Sequence, residues 1–424
     1  MMRQDAKIII DQSIKDMLPD SAVEQALNGV ALQGDIYVAA FGKAGWQMAY
    51  AASQILGDRI KKGVVVTKYD HSKGEIPAFQ IVEAGHPVPD ANSVRGAEAI
   101  MGLMQEAGTQ DTVVLLVSGG GSALLEKPEE GLTLEDIQEV TGQLLKCGAA
   151  IQEMNVLRKR LSAVKGGKLA KTCPNTKIYQ IVLSDIIDDN LEMIASGPAC
   201  ADTSTYEDVC RIKEKYGLVF SGNVEDALRK ETPNETPNVE SVITGSVREL
   251  CRSAAKHAER LGYTPYIVTT SLDCEAREAG AFMASMARSV SGLESFPDAC
   301  GDWENFSWTR PCAIIAGGET IVNLTGHGLG GRNQELALSA ARGIDGLENT
   351  VIFSLGSDGT DGPTDAAGGI VDGMTISRMR EIGIDCEKVL KENDSYSALK
   401  AVDGLIMTGA TGTNVNDVAV VLCR

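Results

Sequence analysis

The sequence has few aromatic residues, and its cysteines show no pairing motif. Phe, Trp and Tyr make up 4% of the 424 residues, whereas glycine occurs 45 times. Because glycine permits tight and left-handed backbone turns, we expect many such turns. The ten cysteines include no C-x-x-C pair and no histidine at metal-ligand spacing. Their scatter argues against a zinc site and against a disulfide framework.

Long apolar runs and an excess of positive charge are also missing. No stretch reaches the roughly eighteen apolar residues of a membrane span, and the first twenty residues show an acidic amphipathic pattern unlike a signal peptide. With unpaired thiols, this predicts a cytoplasmic protein with no membrane partner. The chain has 39 Lys and Arg against 58 Asp and Glu, a net charge of −19. Nucleic acid is therefore an unfavourable partner, and an anionic substrate would need a local basic site.

Short apolar segments recur along the chain, and each tends to end in Gly, Ser, Thr or Asp before a helical pattern begins. This alternation predicts βα units and a mostly parallel sheet covered by helices. The polar, proline-containing segment Glu231–Asn238 (ETPNETPN) predicts a boundary between domains of residues 1–235 and 240–424. A second irregular segment is predicted at Gly292–Pro311. Ligands of such sheets bind at the carboxyl ends of strands, where this sequence keeps glycines and charges.

The first glycine turn is Gly42–Gly45 (GKAG), which follows the predicted strand Ile36–Phe41 and opens a helical pattern. An anion bound there would meet free backbone N–H groups and the charge of Lys43. A tight turn with a solvated lysine explains the pattern equally well. The turn does not spell the dinucleotide fingerprint G-x-G-x-x-G.

The second glycine turn follows the predicted strand Val113–Val117. Consecutive glycines let backbone N–H groups converge on phosphate or carboxylate oxygens, and flanking hydroxyls add donors. We favour this interpretation over a flexible linker because the turn joins a buried strand directly. It is not a Walker A loop. The residues concerned are Ser118, Gly119, Gly120, Gly121 and Ser122.

Carboxylates follow the predicted strand Ile178–Leu183. Asp185 and Asp189 are suited to hold Mg²⁺, which prefers a few carboxylates together with water and phosphate oxygens. Helix N-capping is at least as good an explanation for either aspartate. The segment Lys159–Lys168 (KRLSAVKGGK) concentrates cations in an acidic chain, which indicates either an anion site or a solvated basic helix face.

The second predicted domain carries three more polar, glycine-rich segments. Arg332 closes the loop Gly326–Gly331 at a predicted helix start, where its planar guanidinium could bind a carboxylate or phosphate. It could instead pair with Glu335 one turn on. The segments 356–365 (GSDGTDGPTD) and 408–417 (TGATGTNVND) predict active-site loops at strand ends, with ordinary turns as the alternative. His327 has no visible nucleophile partner and is assigned no role.

Eight ordered motifs resemble the class II glycerate kinases: GKAG, VSGGGSALL, KGGKLA, LSDIIDDN with SGP, GGET, GLGGRNQE, GSDGTDGPTDAAGG and GTNVND. The resemblance covers nearly the whole chain. It implies an α/β protein with a Rossmann-like parallel-sheet first domain and a smaller α/β second domain containing a MOFRL-like region at about residues 311–424. It also implies a cleft between the two domains.

The resemblance further implies an ATP- and Mg²⁺-dependent kinase that converts D-glycerate to 2-phosphoglycerate. Lys43 and Arg332 match the family's essential cations, the second glycine turn becomes a nucleotide site, and Asp185 becomes a metal ligand or base. An NAD(P)-dependent hydroxypyruvate reductase and a non-catalytic small-molecule binding protein stay open. The reductase would need a dinucleotide fingerprint, and we find none in the sequence. A homo-oligomer is compatible with the sequence.

Overall fold

The computed structural model describes residues 1–292 and 308–424, so most of the predicted irregular segment Gly292–Pro311 lies outside the described residues. Contacts divide the chain into two compact units. The N-terminal unit is Pro19–Thr244, and the C-terminal unit is Gly245–Arg424 together with Met1–Leu18. Among the helices of the described residues, none is both long and apolar enough to cross a membrane.

Helices and strands alternate along most of the chain. The helices are α1 (Met2–Asp16), α2 (Pro19–Leu27), α3 (Gly45–Leu56), α4 (Ala91–Glu106), α5 (Gly121–Leu124), α6 (Leu134–Lys146), α7 (Ile151–Leu161), α8 (Tyr206–Tyr216), α9 (Gly222–Arg229), α10 (Val247–Arg260), α11 (Ala276–Val290), α12 (Arg332–Gly343), α13 (Thr375–Glu381), α14 (Cys386–Lys391) and α15 (Ser395–Ala401). The strands are β1 (Ile36–Phe41), β2 (Ile60–Lys68), β3 (Phe79–Ala84), β4 (Thr112–Val117), β5 (Lys177–Leu183), β6 (Val239–Gly245), β7 (Thr264–Leu272), β8 (Cys312–Gly318), β9 (Thr350–Gly356), β10 (Gly368–Asp372), β11 (Leu405–Ile406) and β12 (Asp417–Cys423).

The N-terminal sheet has the strand order β3-β2-β1-β4-β5-β6, and the pairings among β1 to β5 are parallel. This order is that of the Rossmann fold, which confirms the predicted Rossmann-like parallel sheet. Alternate residues of β1 enter opposite cores: Tyr37 and Phe41 pack on one face, and Val38 packs on the other. Burial on both faces explains why the strands of this sheet read as continuous apolar runs.

The predicted boundary segment Glu231–Asn238 is irregular, but it belongs to the N-terminal unit. The Arg160 guanidinium donates to the Glu231 carboxylate at 2.7 Å. The amide of Asn238 donates to the carbonyl of Cys173 at 3.1 Å. These contacts fix the segment against its own unit, so it does not act as a free linker.

The C-terminal sheet is mixed, with the order β11-β10-β9-β12-β8-β7. Only β7 and β8 pair in parallel among the described strands of this sheet, and the other pairs are antiparallel. The expectation of a mostly parallel sheet is therefore wrong for this unit. Strands β8, β9 and β12 are buried throughout, and burial on both faces leaves no sign of strand direction in the sequence.

Helix α1 belongs to the C-terminal unit, although residues 1–18 were grouped with the first domain in the sequence analysis. Its residues Ile9 and Ile10 join the core that contains Leu250 of α10. At its end, the Asp16 carboxylate accepts a hydrogen bond from Ser253 Oγ at 2.7 Å. An amphipathic pattern identifies a buried face but not the core that the face covers. The functional domain limits stay a prediction.

Candidate functional site

The turns after β1 and β4 are joined by hydrogen bonds. The backbone N–H of Lys43 donates to the carbonyl of Gly119 at 2.9 Å, and the N–H of Ala44 donates to Ser118 Oγ at 3.1 Å. Because β1 and β4 are adjacent parallel strands, their carboxyl ends meet at one edge of the sheet. The structure therefore brings together the two glycine turns that the sequence analysis singled out.

Gly120 is the centre of this arrangement. Its backbone is left-handed, with φ 80° and ψ −2°, a conformation that lets successive N–H groups form an anion-binding concavity. A Cβ atom placed on Gly120 would lie 3.0 Å from the ring of His86 and 3.2 Å from Lys43 Cγ. A Cβ atom on Gly119 would lie 2.4 Å from Asp185 Oδ2. Lys43 and Asp185 thus flank the glycine turn.

His86 is a further residue of this cluster that the sequence analysis missed. Burial lowers the pKa of its imidazole, and the charges of Lys43, Lys68 and His71 act in the same direction. A neutral imidazole can accept a hydrogen bond from a substrate hydroxyl group. The available signal was the position of His86 two residues after the end of β3, at the same edge of the sheet as the glycine turns.

Asp189 lies in the turn after β5 with a left-handed backbone, φ 53°. Its Oδ1 atom is buried and has no hydrogen-bond partner among the described residues. Within that same part of the chain, no three His, Cys, Asp or Glu side chains are grouped to hold a metal ion. A magnesium site at Asp185 and Asp189 would therefore need phosphate oxygens and water as further ligands, and it stays a prediction.

The basic segment Lys159–Lys168 matches neither interpretation offered for it. Its cations pair inside the N-terminal unit with distant carboxylates, so they form no free anion site. Lys159 and Lys165 are only 3% and 0% exposed, so the segment is not a solvated helix face either. The pairs are Lys159 with Asp202 at 3.0 Å, Arg160 with Glu231 at 2.7 Å, Lys168 with Glu129 at 2.8 Å, and Lys165 with Glu126.

Arg332 is the first residue of α12 and is held by two carboxylates. Its Nε and Nη2 atoms donate to Asp417 at 2.5 and 3.0 Å, and Nη1 lies 3.1 Å from Glu319 Oε1. Burial disfavours the charge of the guanidinium, but the Asp417 carboxylate outweighs burial and raises the pKa of Arg332. The alternative pairing with Glu335 is wrong, because Glu335 binds Arg277 at 2.9 Å. Of the three guanidinium nitrogens, Nη1 alone contacts the exposed Glu319 and not the buried Asp417, so Nη1 is the atom that can exchange its partner for a ligand.

Asp361 caps the same helix. Its carboxylate accepts hydrogen bonds from the backbone N–H groups of Asn333 at 3.1 Å and Gln334 at 2.8 Å. Burial nevertheless raises the pKa of Asp361 to about 6. The two loops predicted after strands also meet, since Thr411 Oγ1 donates to the carbonyl of Ser357 at 2.6 Å. These contacts assemble the glycine- and aspartate-rich motifs of the C-terminal unit around the start of α12.

The segment Gly326–Gly331 spells G-x-G-x-x-G, a match that the sequence analysis overlooked. In a dinucleotide site, such glycines leave room for a pyrophosphate directly after a strand. Here an irregular segment separates them from β8. A Cβ atom on Gly326 would lie 2.3 Å from Glu392 Cα, and one on Gly331 would lie 2.2 Å from Asp361 Cγ. These glycines pack against their own chain, and the exposed His327 keeps no assigned role.

Comparisons with known proteins identify the family. Residues 5–229 match the family described as a domain of unknown function (DUF4147), and residues 312–417 match the MOFRL family. A D-glycerate 2-kinase of Thermotoga maritima is 49% identical over 97% of this chain and 96% of its own length. The chain belongs to the class II glycerate kinase family. A glycerate 2-kinase of Pyrococcus horikoshii is 45% identical over 92% of this chain and 88% of its own.

A solved structure supports the same assignment. The crystal structure of a glycerate kinase from Thermotoga maritima has a TM-score of 0.93 at 48% identity, covering 100% of this chain and 99% of that one. The family resemblance and the α/β fold class predicted from the motifs are both confirmed. In this glycerate kinase family member, Lys43, Asp185 and the glycine turn form one cluster of the N-terminal unit. Arg332 belongs to a second cluster in the C-terminal unit.

The raised pKa of Asp361 predicts a pH-dependent stability difference between the wild type and Asp361→Asn. Because the folded pKa, about 6, exceeds that of an unfolded aspartate, the protonated acid stabilises the fold at low pH. This contribution is lost as the pH rises through the folded value. Relative to that of Asp361→Asn, the free energy of unfolding of the wild type should fall by about 2 kcal/mol between about pH 4.5 and about pH 7.5.

Urea unfolding of both proteins across this pH range measures the difference. The exposed neighbour Asp365, changed to Asn, serves as the control and should track the wild type. A stability difference between wild type and Asp361→Asn that does not change with pH would contradict the raised pKa.

Proposed function

We propose that this chain transfers the γ-phosphoryl group of ATP to the 2-hydroxyl group of D-glycerate, giving 2-phosphoglycerate. Membership of the glycerate kinase family supports the proposal. The observation that carries it is the position of the Lys43 side chain beside the left-handed Gly120. A cation next to a glycine turn is what a phosphoryl group requires from a protein.

The glycine turn is the proposed nucleotide site. Ser118, Gly119, Gly120, Gly121 and Ser122 supply hydroxyl groups and closely spaced backbone N–H groups. A side chain at Gly119 or Gly120 would occupy the space next to Asp185, His86 and Lys43. The left-handed backbone of Gly120 supports a site in which successive N–H groups converge on a phosphate group.

Asp185 and Asp189 are the proposed ligands of Mg²⁺. Asp185 lies over the glycine turn, and the buried Oδ1 of Asp189 lacks a hydrogen-bond donor among the described residues. A carboxylate beside the turn and a buried carboxylate oxygen without a donor suit ligands of a cation, which would itself bind the phosphate oxygens. When bound, Mg²⁺ would neutralise and orient the phosphate oxygens. Asp185 is also the proposed acceptor of the hydroxyl proton, if it does not bind the metal.

Lys43 and Arg332 are the proposed catalytic cations. Phosphoryl transfer needs in-line positioning and positive charge on the transferring oxygens. Lys43 is exposed and its side chain lies beside the glycine turn. Its ammonium group can therefore stay in contact with the phosphoryl group during the transfer. Asp417 holds the Arg332 side chain in place. We propose that Nη1 of Arg332 exchanges its contact with Glu319 for a contact with oxygens of the transferring phosphoryl group.

The wild-type enzyme should release ADP when given ATP, Mg²⁺ and D-glycerate. Coupled measurement of ADP release and NMR of the product should show phosphate on carbon 2, and chelation of Mg²⁺ should stop the reaction. Phosphate on carbon 3 would refute the proposed position. Oxidation of a nicotinamide cofactor with hydroxypyruvate, without ADP release, would favour the reductase instead.

Loss of charge at the proposed catalytic residues should act mainly on kcat. We expect Lys43→Met, Arg332→Gln and Asp185→Asn each to lower kcat by about a hundredfold or more, because fixed charges act on the transition state. Steady-state kinetics measure the effect, and thermal melting checks the fold. Lys73→Met, at an exposed lysine of the N-terminal unit, is the matched control and should keep normal kinetics. A folded variant with wild-type kcat would remove its residue from the assignment.

A side chain at Gly120 should weaken nucleotide binding. Gly120→Val would place methyl groups against His86 and Lys43, where we propose that phosphate binds. Gly29→Val is the matched control, since Gly29 has a similar φ of 76° but no heavy atom within 4 Å of an added Cβ. Both variants should lose stability through backbone strain. Calorimetry should show reduced ATP affinity only for Gly120→Val, and equal affinity in both would disprove the nucleotide site.

A further inference from the structure

Arg158 on α7 is a cation without a partner among the residues that the structure describes. Its Nε atom is buried and has no hydrogen-bond partner. Across residues 1–292 and 308–424, the side chain makes no hydrogen bond or ion pair. The residue is partly exposed, so the end of the guanidinium can be reached from outside. Arg160, two residues on, also has a buried Nε without a partner among the described residues, but its Nη atoms donate to three backbone carbonyls and to Glu231.

The surroundings of Arg158 carry an excess positive charge. The carboxylate that acts on its charge is that of Glu126, which is 0% exposed and pairs with the fully buried Lys165. The other Glu126 oxygen accepts the N–H of Lys127 at 3.0 Å. One carboxylate therefore faces two cations. Burial lowers the pKa of Arg158, with Glu126 opposing, which is the sign of a charge that its own protein does not fully compensate.

Polar contacts connect this region to the glycine turn. Ser122 Oγ lies 3.1 Å from Ser196 Oγ, and Ser196 Oγ donates to Asn155 Oδ1 at 2.8 Å. Asn155 precedes Arg158 by three residues on α7, so both lie on the same helix face. The backbone at Ser196 is also left-handed, with φ 62°. Such strain is kept where the surrounding structure holds a side chain in a required place.

We propose that Arg158 binds the carboxylate group of the hydroxy-acid substrate. This inference rests on the proposed kinase function and adds the residue that recognises the acid. A planar guanidinium matches a carboxylate through two parallel hydrogen bonds. The single uncompensated positive charge suits a monoanion, whereas the phosphate groups are assigned to Lys43 and the glycine turn.

Substitution of Arg158 should raise the KM for D-glycerate and leave the KM for ATP unchanged. For Arg158→Gln we expect the KM for D-glycerate to increase between about tenfold and a hundredfold, the range for loss of a hydrogen bond to a charged group. Arg158→Lys keeps the positive charge but not the two parallel N–H donors of the guanidinium, so its KM for D-glycerate should increase less. With D-glyceramide, which has no carboxylate, wild type and Arg158→Gln should react equally well.

Melting temperature separates a binding role from a structural one. Arg158→Gln removes an uncompensated cation and leaves the Glu126–Lys165 pair neutral, so its melting temperature should stay equal or rise. Arg160→Gln removes a buried guanidinium whose Nη atoms donate four hydrogen bonds, so its melting temperature should fall. If Arg158→Gln melts lower than Arg160→Gln, the role of Arg158 is structural and the inference is wrong.

The remaining outcomes are also decisive. An unchanged KM for D-glycerate in Arg158→Gln, with an active wild type, overturns the inference and leaves the kinase function intact. An increased KM for ATP alone would assign Arg158 to the nucleotide and overturn it as well. A wild-type protein that neither binds D-glycerate by calorimetry nor phosphorylates it would overturn both the inference and the proposed function.

Discussion

The hydrogen bond from the N–H of Lys43 to the carbonyl of Gly119 joins two segments that are far apart in the sequence. It forms because β1 and β4 are adjacent, parallel and in register, so both turns leave the sheet at one edge. The left-handed Gly120 then lies beside the Lys43 stem and the His86 ring. Every role proposed for the N-terminal unit depends on this junction, since without it the lysine and the glycine turn would belong to separate surfaces.

The sequence predicted the two glycine turns because they depend on local rules. A buried apolar strand followed by glycine and then by a helix specifies the place of Lys43 and of Ser118–Ser122. His86 could not be found in the same way. It follows β3, which is two strands away from β1 in the sheet, and only the folded structure places its ring 3.0 Å from a Cβ atom on Gly120. The order was not readable from apolar patterns alone.

Other predictions failed because they depend on distant partners. The cations of Lys159–Lys168 look like a binding surface in the sequence, but their partners lie elsewhere in the chain, as in the pair of Lys159 with Asp202. Helix α1 shows its apolar face clearly, yet the core that receives Ile9 is built from α10 and the C-terminal sheet. Strand direction in that sheet was equally hidden, because a strand buried on both faces has the same composition in either direction.

The position of β12 in the sheet affects how the C-terminal unit can fold during synthesis. This strand lies between β8 and β9 in the sheet order, but a ribosome synthesises it after both of them. Until Asp417–Cys423 has left the ribosome, the facing edges of β8 and β9 are unpaired, and the core that contains the apolar face of α1 lacks the strand residue Val420. Exposed edges of this kind are templates for pairing with other chains. During translation, the C-terminal unit therefore exposes two strand edges until β12 is added.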